Sequence, residues 1–400
     1  MGLFLALLAI THVTLIDTEA GRARPDFTVL ISGDHISAVG PAKSVRVPRD
    51  AQILDGRGKF LIPGLWDMHA HLFATIPLDP NDPAPREFFA PRLVANGITG
   101  VRSMWDDPGA IRRLRASEAV PRIVSCGPIL DGPQPYVPGA QACANAAQGR
   151  EAVRRLKAEG VEFIKVYSLL PRDAYLAIAE EARASGLPFA GHVPNSVSLE
   201  EASDAGQKSF EHLMGMESLD PQKAPAVFAK FVKNGTWQTP TLTALRGLMY
   251  FGNAERLKDP RISSLPLLIQ QYWKAGGAGV SSDEETFQRQ LDLVASMHRA
   301  GVKLLAGTDT PNPFVFPGES LHEELELLVK ASLTPMQAIQ CATLHPAEYL
   351  GMADRLGSIA PGKLADLVLL DADPLANIVN TRRIAAVILN GKFQPTKVGR

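Results

Sequence analysis

His69 and His71 close a short apolar run, 64–69, with one residue between them. On a strand, residues i and i+2 point to the same face. Two neutral imidazoles held on one face can grip a single divalent cation through ring nitrogens. Further reactive side chains mark the ends of later β-rich runs: Lys165 in 163–167, His192 in 188–193, His212 in 209–213 and Asp309 just past 302–307. The intervals suit successive strand and helix units, with 27 residues from Lys165 to His192 and 20 from His192 to His212. The 97 residues from His212 to Asp309 leave room for one more strand and an insertion around 253–282. Four of the nine histidines fall at these ends, while His12, His35, His298, His322 and His345 fall on surfaces, helices and loops.

Such positions do chemistry together only if the fold brings strand ends into one place. Eight apolar β-like runs occur, at 64–69, 98–104, 122–129, 163–167, 188–193, 209–213, 236–242 and 302–307. Amphipathic stretches with apolar residues at three- and four-residue spacing separate them, including 153–159, 172–184 and 285–300. That alternation specifies parallel strands with crossover helices. Eight units over this length predict an α/β fold, a (β/α)8 TIM barrel spanning 61–351, whose reactive groups gather at the C-terminal strand ends. No GxGxxG follows the first run, which removes the usual reason to prefer an open doubly wound sheet. Short β-rich runs fill the first 60 residues and recur in the last stretch, where Asn390-Gly391 signals a hairpin turn. Segments 1–60 and 352–400 are therefore expected to form one small composite β-sandwich domain, since chain termini often lie close together.

The stretches LIPGLWDMHAH, FIKVYS, GHVP, SFEHL, AGTDTP and GSIAPGKLADLVLLDADP resemble the amidohydrolase superfamily, in its imidazolonepropionase-like and prolidase-like branch. The resemblance covers nearly the whole chain. It implies a barrel with a β-sandwich built from both chain ends, in agreement with the periodicity. It also changes the reading of Lys165. An ammonium cannot ligate a cation, and by its residue type alone Lys165 would pair with a nearby carboxylate. In the family, a Lys at the matching strand end is carboxylated by carbon dioxide, and the carbamate bridges two metals. The implied centre holds one ion by His69, His71, Asp309 and the carbamate, and a second by His192, His212 and the carbamate. Zinc suits this mix of imidazole and oxygen ligands, with manganese or cobalt compatible by residue type. A hydroxide bridging the two ions would attack an amide or peptide carbonyl polarised by them. Asp309 would accept the proton of that hydroxide and deliver it to the departing amine.

Around the predicted mouth, Tyr167 shares the face of Lys165 and could donate to a carbonyl oxygen or a carboxylate. Arg102, Trp105, Tyr136, Thr239 and Thr241 are further substrate-facing candidates, with Arg102 suited to bidentate binding of a carboxylate. Cys341, in an apolar helical stretch, reads as core. The expected activity is binuclear hydrolysis of a dipeptide or an N-acyl amino acid. The enzyme alternative is a mononuclear deaminase or cyclic-amide hydrolase such as an imidazolonepropionase, and the non-enzyme alternative is a scaffold that has lost its metals. Composition agrees with a small-molecule enzyme. Lys plus Arg total 41 against 42 Asp plus Glu, so nothing marks the chain for nucleic acid or anionic lipid. With 46% hydrophobic and 21% charged residues it can bury a full core, and three cysteines are too few for a disulfide framework. No run approaches the roughly 20 apolar residues of a membrane span. The apolar run 3–10 lacks a basic leader and reads as the first strand, which points to the cytoplasm while leaving a trimmed secretory precursor open. Assembly of like chains is left open.

Overall fold

In the computed structural model, residues 7–73, 79, 81–216, 219–275 and 283–396 are described. Residues 3–6 of the N-terminal apolar run, and part of the 253–282 insertion, lie outside them. The chain opens with β1, Leu7–Asp17, whose buried apolar residues alternate imperfectly because the strand is bulged between Ile10 and Val13. The bulge lets one strand serve two parallel neighbours, β4 (Gln52–Asp55) through residues 8–11 and β5 (Phe60–Pro63) through residues 14–15. On its other side β1 pairs antiparallel with β2 (Arg22–Ser32), which pairs with β3 (His35–Pro41).

The middle of the chain contributes short parallel strands, most of them fully buried. These are β6 (Leu65–Ala70), β7 (Ile98–Ser103) and β8 (Arg122–Ser125) in one sheet. A second sheet holds β9 (Leu130–Asp131), β10 (Gln141–Ala142), β11 (Ile164–Val166), β12 (Phe189–Gly191), β13 (Ser209–Glu211) and β14 (Trp237–Thr239). Strands buried on both faces read as near-continuous apolar runs, which is why they stand out in the sequence. Crossover helices run between them, among them Ala146–Glu159, Arg172–Ala184 and Glu284–Arg299. Gly160 caps the first in the left-handed conformation, φ 85°, and Asp283 caps the last through its side chain. The expected eighth run differs from the others. Segment 302–310 is not a continuous strand but is held by isolated parallel bridges, Leu304 to Gln238 and Thr310 to Ala70. Met68 N–H donates to the Ala306 carbonyl at 2.9 Å between these bridges. The approach is close because residue 307 is glycine: a Cβ there would sit 2.6 Å from Thr239 Cγ2 and 2.8 Å from His69 Cβ.

Toward the C terminus, β15 (Leu367–Leu370) pairs antiparallel with both β5 and β16 (Ile384–Leu389), and β16 pairs with β17 (Lys392–Gln394) across the Asn390-Gly391 turn. Both chain ends therefore enter one mixed sheet of eight strands, joined through β5 rather than divided into separate hydrogen-bonded sheets. It has its own apolar core around Ile10, Val29, Ile31, Leu61, Leu367 and Ile388. Cys341 is buried in the main core, as its sequence context implies, at the end of the helix Pro335–Cys341. No helix among the described residues is long and apolar enough to cross a membrane.

Candidate metal centre

The ends of β6, β13 and segment 302–310 converge on the Asp309 carboxylate. His71 Nε2 lies 3.0 Å and His69 Nε2 3.3 Å from Asp309 Oδ1, and His212 Nδ1 lies 3.6 Å from Oδ2. Ligating atoms of His69, His212 and Asp309 all fall within 4.8 Å of one another. His212 and Asp309 both hold left-handed backbone, φ 61° in each, uncommon for residues with a Cβ. The sharp turn lifts each side chain off the strand period into the centre. Asp309 is anchored by its own N–H donating to the His69 carbonyl at 2.7 Å.

Lys165, on β11, is buried and puts Nζ 3.3 Å from His69 Nε2. Among the described residues it makes no ion pair with a carboxylate, so its residue-type reading as a paired Lys fails. His192, at the end of β12, is buried with Nε2 lacking a hydrogen-bond partner, as does His71 Nδ1. Buried polar atoms are nearly always satisfied. Orphaned imidazole nitrogens beside clustered histidines and a carboxylate are the donor set that a divalent ion satisfies.

Burial favours the neutral imidazole, the state that ligates, at His69, His192 and His212. Burial, then the Lys165 ammonium and His212, holds His69 well below the usual range, and burial followed by His212 does the same for His192. Burial also lowers His212 and Lys165, though Glu211 and Asp309 pull Lys165 back. For Asp309, burial pushes upward, but the facing His212, His71 and Lys165 win and the carboxyl lies below its ordinary value.

A second ring of groups orients the first. His69 Nδ1 lies 2.8 Å from Glu211 Oε2, and because a carboxylate accepts, Nδ1 carries the proton and Nε2 faces Asp309. Glu211 is itself gripped by Arg102 at 2.9 and 3.0 Å and by the Ser209 hydroxyl at 2.5 Å. Asp67 accepts from the Thr308 hydroxyl at 2.6 Å and from the His69 N–H at 3.2 Å, and burial pushes its pKa up to about 7. Ser168 Oγ meets His192 Nδ1 at 2.8 Å. None of Glu211, Asp67 or Ser168 stood out in the sequence. For Glu211 the signal was a carboxylate two residues beyond Ser209 on a short, fully buried strand.

Three rim expectations need correction. Arg102 is fully buried beneath the centre, donating to the Met68 carbonyl, Ser209, Tyr349, Glu211 and Thr239, so its guanidinium has nothing left for a substrate carboxylate. Thr239 is buried with its hydroxyl 3.2 Å from Arg102, and it serves the site through its carbonyl, which accepts the His212 N–H. Thr241 is also buried and bonds His212 Nδ1 at 2.7 Å. All three act through the candidate ligands, Arg102 by way of Glu211, and Thr239 and Thr241 on His212. Trp105, by contrast, meets His71 edge-on at 6.5 Å. Tyr167 stacks on His192 at 3.9 Å, and Tyr136 lies 6.3 Å from Tyr167.

Comparison with known proteins agrees with this geometry. The amidohydrolase family model matches residues 60–393. Adenine deaminase of Rubrobacter xylanophilus is 26% identical over 95% of this chain, and imidazolonepropionase of the same organism is 25% identical over 92% of it. The alignments take in 56% of that deaminase and 91% of that imidazolonepropionase. The chain thus spans about half the length of the adenine deaminases it matches. A crystal structure of a candidate prolidase from Bifidobacterium longum superposes with a TM-score of 0.78 at 25% identity, covering 98% of this chain and 95% of that one. With most of its length inside the family model and reactive residues gathered at strand ends, the chain belongs to the amidohydrolase family.

Proposed function

We propose that this protein is a metal-dependent hydrolase of amide-type carbon–nitrogen bonds. The observation that carries the reading is the convergence of His69, His71 and His212 on Asp309, with the buried Lys165 beside His69. The reading includes a (β/α)8 barrel over 61–351, closed by segment 302–310 between β14 and β6, and a separate unit from 1–60 and 352–400. The bridges at Leu304 and Thr310, and the apolar core of the eight-stranded sheet, support that division. His69, His71 and Asp309 would hold one divalent ion, zinc by preference, and His192 and His212 a second, with Lys165 carboxylated by carbon dioxide between them. The lowered Lys165 pKa supports this last step, because a neutral amine is the form that adds carbon dioxide. Divalent ions bound there would supply Lewis acidity toward a carbonyl and bring the pKa of water near neutrality.

The chain's own groups supply the rest. Asp309 accepts a proton from the attacking water and returns it to the departing amine nitrogen. Tyr167 stays a phenol, since burial and then the Asp309 carboxylate raise its pKa, and so it can donate to a substrate oxygen. A substrate of the dipeptide or N-acyl amino acid type keeps this donor but loses Arg102. The compact His69, His212 and Asp309 group favours a second reading, a mononuclear deaminase or cyclic-amide hydrolase, for which one ion suffices.

Elemental analysis combined with an N-acyl amide screen tests both. Close to two divalent ions per chain with amide hydrolysis is the expected result, and Lys165→Ala should lower occupancy, with partial rescue by short-chain carboxylic acids. Full activity with one ion would replace the binuclear reading by the mononuclear one. Unchanged occupancy and turnover in Lys165→Ala would remove the carbamate.

A further inference from the structure

The mouth above the centre is built of aromatic rings held by a rigid frame. Tyr167 lies nearly parallel to His192, at 26° and 3.9 Å, and Tyr136 continues the stack outward at 34° and 6.3 Å. The Tyr136 ring is 73% exposed, yet its backbone is fixed. Asp131, fully buried, accepts the Tyr136 N–H at 2.9 Å and the Leu169 N–H at 2.7 Å, tying the loop after β9 to the loop after β11. Residue 132 must be glycine in that clasp, because a Cβ would lie 2.0 Å from the Leu169 carbonyl oxygen. Tyr272, on the helix Leu267–Ala275, lies near enough to interact electrostatically with both Tyr136 and Tyr167. It is 47% exposed, packs on Phe251 at 5.8 Å, and has its phenol pushed up by burial and then by the Asp309 carboxylate and the Tyr136 hydroxyl. An exposed ring on a clamped backbone costs little further entropy when a ligand stacks on it.

The loops that bear Tyr136 and Tyr167, 126–145 and 167–171, carry no cationic side chain. Segments 71–85, 104–109, 193–198, 213–222 and 310–318 also contain no Lys or Arg, and in the segment after run 236–242 Arg246, Lys258 and Arg261 are paired with Glu323, Glu255 and Asp259 while Arg256 lies over the Tyr250 ring. Arg102 is committed beneath the centre. A carboxylate entering between Tyr136, Tyr167 and Tyr272 would be desolvated against ring faces, which are negative.

We propose that the substrate presents an uncharged aromatic group, not a free carboxylate, to the Tyr136, Tyr167 and Tyr272 rim. This rests on the hydrolytic reading above and narrows it. The test measures calorimetric binding and hydrolysis of three probes on metal-loaded protein: N-benzoyl-phenylalanine, its methylamide, and N-acetyl-alanine methylamide. The aromatic methylamide should bind about tenfold tighter than its acid and about tenfold tighter than the aliphatic amide. Tyr136→Ala and Tyr272→Ala should each cut the aromatic-over-aliphatic ratio about threefold, a stacking contribution, while Tyr136→Phe keeps it. Equal binding of acid and amide, or a ratio unmoved in both alanine variants, overturns the proposal. Binding in the expected order without hydrolysis of any probe would sink the hydrolase reading and leave the rim standing. Hydrolysis without discrimination would do the reverse.

Discussion

The eight-stranded sheet and the strand ends around Asp309 both hold non-glycine residues in the left-handed region, and they use them in opposite ways. In the sheet these are His12 and Asp26 at the bulged stretch of β1 and β2, and Asn390 at a turn, all exposed. At the centre they are Thr241, His212 and Asp309, shielded from solvent and in mutual contact through His212. Such conformations cost roughly 1–3 kcal/mol each. In the sheet the cost is tied to geometry: the chain must bulge or reverse, and a short polar residue is tolerated there. At the centre a glycine would have made the same turn more cheaply, so the side chain is what the position requires. Buried charge follows the same division. The Arg57–Asp55 pair at the edge of the sheet is solvent-exposed, whereas Arg102, Glu211 and His69 are sealed from water.

The largest effect expected from this contrast is at Asp309. Asp309→Asn is nearly isosteric and preserves the bond from its N–H to the His69 carbonyl. Its amide, however, has no proton affinity to offer. Hydrolysis should fall about 100- to 10,000-fold, the range of general acid–base contributions, with the thermal midpoint little changed. Turnover within about tenfold of the parent would remove the proton-transfer role.

Next comes Glu211, where positioning and stability are joined. Glu211→Gln replaces an acceptor of the His69 Nδ1 proton by an amide and strands the buried Arg102 guanidinium. Breaking a buried pair on one side costs about 3–5 kcal/mol. Losing the partner that orients a metal-ligating histidine costs about 10- to 100-fold in metal affinity. The two effects separate in the double variant Glu211→Gln with Arg102→Met, which should recover stability in denaturant unfolding but not zinc affinity in chelator competition. Recovery of both would mean that Glu211 serves packing and not the orientation of His69.

What was legible in the sequence follows from the same physics. Buried parallel strands are largely apolar, so the runs ending in His69, His192 and His212 could be found, and the helix 172–184 matches its amphipathic stretch. The turn at Asn390-Gly391 was readable because few residues adopt that backbone. Run 302–307 looked like a strand by composition, yet isolated bridges at Leu304 and Thr310 hold its segment. Arg102, Thr239 and Thr241 were misread for one reason: period-2 alternation says which face a strand residue takes, but not how deep in the stack of side chains it lies. Arg102 sits low enough to meet Tyr349 and Ser209, a depth set by neighbours more than a hundred residues away. Glu211 was missed because its meaning depends on that same Arg102.

The smallest effect should be at His12, and it tests whether the contrast between the two regions holds. His12 has φ 56°, and its exposed ring meets Asp26 at 2.7 Å. An exposed pair of this kind adds little to stability and is screened by salt. His12→Gly removes that contact and the Cβ strain together, while Gly adds freedom to the unfolded chain worth about 0.5–1 kcal/mol. The gain and loss are of similar size, so the denaturation midpoint should move by no more than the equivalent of about 1 kcal/mol, with hydrolysis unchanged. His212→Gly relieves the same backbone conformation, yet it deletes an imidazole from the centre, and activity should be lost even if the protein becomes no less stable. Parallel unfolding and turnover measurements on the two glycine variants decide the matter. If His12→Gly impairs hydrolysis as strongly as His212→Gly, the left-handed positions of the sheet are coupled to the centre, and the separation between scaffold strain and functional strain is wrong.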